Sequence, residues 1–221
     1  MASAPAYLLF DLDETLYPSS CGLMRAVSAR MTAFVAEYLG LSEPQAEQLR
    51  RELSRRYGTT LTGLMREYGL QAAERYLAYT HEVDVERLVP RDPALAPALR
   101  AIPLGKSVLT NSPLEHALRV LNHLGVRELF ERVFDIRFNG FAGKPDAAVY
   151  GKVLAALGRE AGEVLLIDNR LDYLLAFREL GGRVLLVDED GAQGGSTVQA
   201  EGVPRIGDIK QLPAFMGFTV P

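Results

Sequence analysis

Asp11 and Asp13 stand two residues apart where the apolar run Tyr7-Leu8-Leu9-Phe10 stops. Residues so spaced at a strand end can point the same way. A carboxylate can attack phosphorus and form an aspartyl-phosphate. A second carboxyl can protonate the departing alkoxide and later take a proton from the attacking water. Asp11 suits the nucleophile and Asp13 the acid/base, and Thr15 can hydrogen-bond within the turn or to the phosphate. Three further polar clusters follow: Thr110-Asn111, Lys144 in Gly143-Lys144-Pro145-Asp146, and Asp168 with Asp172. Asp11, Asp168, Asp172 and a phosphate dianion cannot crowd together without compensating charge. Mg²⁺ supplies it, binding hard oxygens through few protein ligands and some waters. The expected ligands are Asp11, the backbone carbonyl of Asp13, and Asp168. Asp172, one helical turn on, is expected to orient a metal-bound water. Lys144 offsets the nucleophile and phosphate charge, while Thr110 and the amide of Asn111 hold phosphate oxygens at a helix start. Each cluster alone has a plainer reading: a solvated turn, a surface lysine, a helix cap, a dipole-favoured acid pair. Their order and shared placement argue for one site.

That placement depends on the elements beneath. Ser107-Val108-Leu109 ends at Thr110, Val164-Leu165-Leu166-Ile167 at Asp168, and Val184-Leu185-Leu186-Val187 at Asp188. Continuously apolar strands belong in a parallel sheet covered on both faces. Helical patterns separate them, over Leu114 to Leu124, Ala147 to Leu157 and Leu171 to Leu180. The first carries a capping box with proline, Ser112-Pro113-Leu114-Glu115. Strands alternating with helices predict a doubly wound, mostly parallel α/β sheet, whose ligands bind at the carboxyl ends of the strands. Residues 17–104 break the alternation. They hold amphipathic stretches (Leu23 to Leu39, Glu43 to Tyr57, Ala72 to Glu82) without a buried strand. The expected division is a core of 1–16 and 105–221 with an inserted helical cap of 17–104. Glu189 to Val203, polar and glycine-rich, reads as an exposed loop before a short terminal element.

Composition bounds the function. Of 221 residues, 48% are apolar and 24% charged, as in an ordinary globular protein. The net charge of −4 gives no basic field for nucleic acid or anionic lipid. An anionic small-molecule substrate therefore needs local positive charge. The lone cysteine, Cys21, reads as a packing residue and fits a reducing cytoplasm. The first residues carry no basic cluster, which argues against a signal peptide, and no apolar run approaches a membrane span. His81, His116 and His123 have no metal-ligand spacing and read as surface or core residues.

The run Phe10-Asp11-Leu12-Asp13-Glu14-Thr15-Leu16 resembles the first motif of the haloacid dehalogenase (HAD) superfamily. Thr110, Lys144 and Asp168 resemble its second, third and fourth motifs in order. The likeness is closer to the pyrimidine 5′-nucleotidase-like branch, through Asp13 to Leu23, Arg30 to Phe34, Tyr57-Gly58-Thr59-Thr60-Leu61 and His116 to Leu121. The resemblance implies a HAD-like Rossmannoid core, a helical cap after the first motif, and Mg-dependent hydrolysis of phosphomonoesters, with nucleoside monophosphates a candidate class. Tyr57, Thr59 and Thr60 are then candidate substrate residues, since a lid over the site sets specificity. Two positions depart from the branch. Ile167 stands where an acid is common, with Asp172 in place of an asparagine, and Ser112 follows Asn111 where glycine is usual. An acid at Asp13 favours an oxygen leaving group over a halide. It leaves open a phosphatase or phosphomutase for another phosphometabolite such as a sugar phosphate. A HAD-fold binding or regulatory protein with little catalysis is the alternative from another class.

Overall fold

In the computed structural model, which describes residues 4–189 and 202–220, the apolar runs form the middle of a parallel sheet. Its strands among the described residues are β1 (Tyr7–Phe10), β2 (Gly105–Leu109), β3 (Arg132–Phe134), β4 (Val164–Asp168), β5 (Arg183–Val187) and β6 (Arg205–Ile206). They lie in the order β3-β2-β1-β4-β5-β6, every pair parallel. The fold is therefore a doubly wound α/β sheet of Rossmann type, as the alternating pattern predicts. Side chains leave alternate faces of each strand. Leu8, Phe10, Leu165, Ile167, Leu185 and Val187 enter one buried cluster. Tyr7, Leu9, Val164, Leu166, Val184 and Leu186 enter the other. Both faces of the sheet are thus dry, which explains strands without polar alternation.

Between β1 and β2 the chain builds α1 (Leu23–Leu39), α2 (Glu43–Tyr57), α3 (Thr60–Tyr68), α4 (Ala73–Thr80), α5 (Val85–Leu88) and α6 (Leu95–Arg100). Helices α1 to α4 share a third apolar cluster, with Phe34, Val35, Leu53, Leu64, Tyr76 and Leu77 at its centre. The stretch after α4 behaves differently. Val85, Val89, Leu95, Leu99 and Ile102 join the sheet's own cluster, and so do Leu16, Tyr17 and Leu23. The helical layer with its own core is therefore narrower than the expected 17–104, because the ends of that insertion carry apolar residues that the sheet buries.

After β2 come α7 (Leu114–His123), α8 (Ala147–Leu157), α9 (Leu171–Glu179) and α10 (Leu212–Phe215). The expected capping box at Ser112 does not form. The Leu114 amide is met by the Asp135 carboxylate at 3.1 Å, and the Ser112 hydroxyl turns to Asp13 instead. Helix α8 is capped by Asp146, which accepts from the Ala148 amide at 2.9 Å. The predicted loop of Glu189 to Val203 falls mostly on residues 190–201, outside the described residues. No helix among the described residues is long and apolar enough to cross a membrane.

Candidate active site

The strand order reverses between β1 and β4, and open α/β sheets bind ligands at such a switch point. Phe10 pairs with Ile167 in register, and the Asp11 amide donates to the Ile167 carbonyl at 2.8 Å. Strand pairing alone therefore sets Asp11 beside Asp168. Lys144, on the loop entering α8, closes the pair: its Nζ donates to Asp11 Oδ1 at 2.8 Å and to Asp168 Oδ2 at 2.6 Å. All three side chains are buried. Burial opposes the ammonium, but the charges of Asp11 and Asp168 outweigh it and hold Lys144 protonated above the ordinary lysine range. Burial, then the charge of Asp168, pushes the Asp11 carboxyl up to about 7 despite Lys144. Burial raises Asp168 as well.

Asp13 has a different environment. Its Oδ1 accepts from the Tyr17 hydroxyl at 2.7 Å and contacts His116 Nε2 at 2.9 Å. Its Oδ2 accepts from the Ser112 hydroxyl at 2.6 Å and the Thr110 hydroxyl at 3.5 Å. Burial alone would raise this carboxyl. The His116 charge and the bonds from His116, Ser112 and Tyr17 reverse the effect and hold it well below the usual range. Glu14 follows at φ 61°, a left-handed conformation uncommon outside glycine, and the Leu16 amide closes the turn on the Leu12 carbonyl at 3.0 Å. Thr15 donates to Asp11 Oδ2 at 3.2 Å, so its hydroxyl serves the turn and the carboxylate.

Asn111 grips the loop that carries the lysine. Its Oδ1 accepts from the Lys144 amide at 2.8 Å, and its Nδ2 donates to the Lys144 carbonyl at 3.1 Å. The helical layer presses on the same loop: a Cβ on Gly143 would lie 2.4 Å from Thr59 Cγ2. Between layer and sheet lies a cavity of about 650 Å³ lined by Asp11, Asp13, Thr110, Asn111 and Lys144 on the sheet side. Gly58, Thr59 and Thr60 line it from the helices.

Two expected residues are not brought together with these. Asp172 is half exposed and held by Arg170, whose guanidinium meets both carboxylate oxygens at 3.0 and 2.6 Å. It does not line the cavity, because a neighbouring cation captures it; Asn169 does line it. Tyr57 turns outward, its hydroxyl donating to Glu67 at 2.5 Å, and is likewise absent from the cavity wall. Thr59 uses its hydroxyl to cap α3, accepting from the Thr62 amide at 3.0 Å. Sequence reasoning passed over His116, Ser112 and Tyr17 as acid/base partners. His116 is buried against Asp13, and its ring edge meets His81 at a centroid distance of 5.0 Å. Burial, then His116, pushes His81 down to about 4. His123 bonds the Val89 carbonyl at 2.8 Å and takes no part. Cys21 packs beside the sheet cluster.

The donor chemistry fits Mg²⁺. The Asp11 and Asp168 carboxylates, the Asp13 carbonyl and the Asn169 amide oxygen are hard oxygen groups at one strand-end crossing. Buried Asp11 and Asp168 share a single ammonium, so a second cation would relieve the excess negative charge. Among the described residues no three carboxylate, imidazole or thiolate groups converge into a ready-made cage.

Phosphate metabolism protein 8 of Saccharomyces cerevisiae is 24% identical over 201 residues, covering 82% of this chain; the chain spans 61% of that relative's length. A HAD phosphatase from Thermococcus onnurineus superposes with a TM-score of 0.61 at 18% identity, over 99% of this chain and all of that one. The HAD-hydrolase YfnB from Bacillus subtilis, bound to magnesium, gives 0.64 at 17% identity, over 97% of this chain and 100% of that one. Residues 6–181 match the haloacid dehalogenase-like hydrolase family, to which this chain belongs.

Proposed function

We propose that the protein is a Mg²⁺-dependent phosphomonoester hydrolase acting on a small phosphometabolite. The observation that carries this reading is the setting of Asp13. A halide leaves without a proton, whereas an alkoxide needs one. Asp13 stands two residues from the nucleophile, bonded to His116, Ser112, Tyr17 and Thr110, and so has proton-handling partners that dehalogenation does not require. A relative named for phosphate metabolism supports the same choice, whereas the fold is shared equally by a phosphatase and by haloacid dehalogenases and does not separate them.

Asp11 attacks phosphorus while Lys144 offsets the charge gathering there. The P–O ester bond breaks, and the departing alkoxide takes a proton from Asp13. Asp13 rests ionised, but an arriving phosphate dianion raises its affinity for a proton. In the second half, the Asp13 carboxylate takes a proton from water as the water oxygen attacks the aspartyl-phosphate, releasing inorganic phosphate and free Asp11. Thr110 and the Asn111 amide hold phosphate oxygens. Mg²⁺, held by Asp11, the Asp13 carbonyl and Asp168 with Asn169 beside them, would neutralise developing charge on the phosphoryl oxygens. Helices α1 to α4 act as the cap, and the cavity's 650 Å³ suits a metabolite or a nucleoside monophosphate over a polymer.

A screen of nucleotides and sugar phosphates, with metal omitted and then restored, tests this. Turnover is expected only with Mg²⁺, and Asp11→Asn is expected to abolish it in folded protein. No turnover of any monoester by the metal-loaded protein, or faster turnover of a 2-haloacid, overturns the reading.

A further inference from the structure

Opposite the sheet, the cavity is walled by the polar stripes of α1 and α2. Helix α1 contributes Arg25, Ser28 and Thr32, and α2 contributes Glu47, Arg50 and Ser54. These spacings of three and four residues mark one helix face each. Other residues of the same helices, Phe34, Val35, Ala46 and Leu53, are buried in the helical core.

The guanidinium groups on this wall are not equivalent. Arg51 is paired with Glu47, and Arg170 with Asp172. Arg50 is half buried, and burial, with the charge of neighbouring Arg51, lowers its pKa against the opposing effects of Tyr76 and Glu47. Its Nε donates to the Thr32 hydroxyl at 3.2 Å, and that hydroxyl donates on to the Ser28 carbonyl at 3.1 Å. Among the described residues no carboxylate pairs with Arg50, nor with the exposed Arg25 on the same wall. Glu43, the remaining carboxylate of the wall, is exposed at the start of α2. Arg50 thus carries a partly desolvated charge that Glu47, engaged with Arg51, offsets only at a distance, which is unfavourable. Its planar fork is organised in advance for a carboxylate or a phosphate. The reacting phosphoryl group is already served at the far side by Lys144, Thr110 and the strand-end amides.

We propose that Arg50, assisted by Arg25, forms a second anion subsite, so that the substrate is a small phosphomonoester bearing a further anionic group, a carboxylate or a second phosphate. This rests on the phosphomonoesterase reading and narrows it. A nucleoside monophosphate is neutral beyond its phosphate and leaves Arg50 unmet, whereas a nucleoside bisphosphate does not.

The test uses matched pairs that differ in the second anion: phosphoglycerate against glycerol phosphate, and uridine bisphosphate (3′,5′) against uridine monophosphate. Calorimetric binding to the Asp11→Asn protein with Mg²⁺ is measured beside turnover by the wild type. The two-anion member is expected to bind about tenfold tighter or more, the scale of a charge-assisted hydrogen bond. Arg50→Gln is expected to bring that ratio towards one. Arg50→Lys keeps part of it, since the charge stays but the fork is lost. Arg25→Gln gives a smaller change in the same direction, and serves if Arg50→Gln does not fold. Equal binding of both members, or a ratio that loss of the charge leaves intact, overturns the subsite whatever the turnover. Loss of turnover toward every monoester overturns the phosphatase reading instead, and the binding ratio still decides the subsite.

Discussion

Tyr17, Ser112 and His116 converge on Asp13, with Thr110 beside them, and the joint effect of the first three outweighs the burial that by itself would raise the carboxyl. The depressed value links Asp13 to stability with a definite sign. In the unfolded chain the group titrates at about 4; in the folded chain it titrates lower. The advantage is complete above the unfolded value and is lost as pH falls below it towards the folded one. The difference in unfolding free energy between wild type and Asp13→Asn, read from urea melts, should therefore be flat at neutral pH and shrink below about pH 4. A difference that grows on acidification contradicts the network. His116→Ala should cost roughly 1–3 kcal/mol, because it strips a buried carboxylate of one donor. It should also shift the acid limb of the kcat profile to higher pH, since Asp13 then holds its proton more tightly. A purely structural histidine would lower stability without moving that limb.

Pairing of β1 with β4 sets Asp11 beside Asp168, and contact between the α2–α3 turn and the lysine loop brings the helical layer against the candidate site. That second contact has little slack, as the 2.4 Å approach to Thr59 Cγ2 at Gly143 shows; Asn111 would lie 3.0 Å from the same added Cβ. Gly143→Ala should therefore destabilise by about 1–3 kcal/mol through overpacking. Thr59→Ser removes the offending methyl and keeps the hydroxyl that caps α3, so the double variant should recover part of the loss in thermal melts. Strict additivity of the two changes would mean that they do not touch. At this scale much was legible. Strands β1, β4 and β5 are mainly apolar runs, β2 shows only in its Val108-Leu109 end, and α1 and α2 run as their periodicity predicts. Strands β3 and β6 have three and two residues, too few for a period. Helix α3 hid behind Gly58-Thr59, which reads as a loop although Thr59 is its cap. Asp11, Asp13, Thr110 and Asp168 come together because strand ends in an α/β sheet converge, and Lys144 joins them from the loop entering α8. His116 could not be read from the sequence, since nothing local ties it to a carboxylate 103 positions earlier. Ser112 looked like a cap and became a ligand of Asp13, while Asp172 was lost to Arg170, a contest that spacing does not reveal.

For the molecule as a whole, the modest net charge of −4 hides a steep local imbalance at the switch point. Burial and Asp168 push Asp11 up to about 7, so without metal the folded state prefers that carboxyl protonated. The sign is opposite to that of Asp13. A folded pKa above the unfolded one means that the folded chain holds the extra proton between about 4 and 7, and its stability falls as pH rises through that window. A divalent cation needs the ionised carboxylate and competes with the proton. It also stabilises only the folded state, in proportion to the logarithm of its concentration over its dissociation constant. The rise in melting temperature on adding Mg²⁺ should then be small at pH 5.5, about 1.5 units below the Asp11 value, and grow as pH passes 7. Chelation should reverse it. Asp11→Asn, which has no proton to displace and one anion fewer, should flatten both the pH dependence and the metal response. A melting temperature that responds equally to Mg²⁺ at both pH values, or that Asp11→Asn leaves responsive, would place the cation somewhere other than the crossing of β1 and β4.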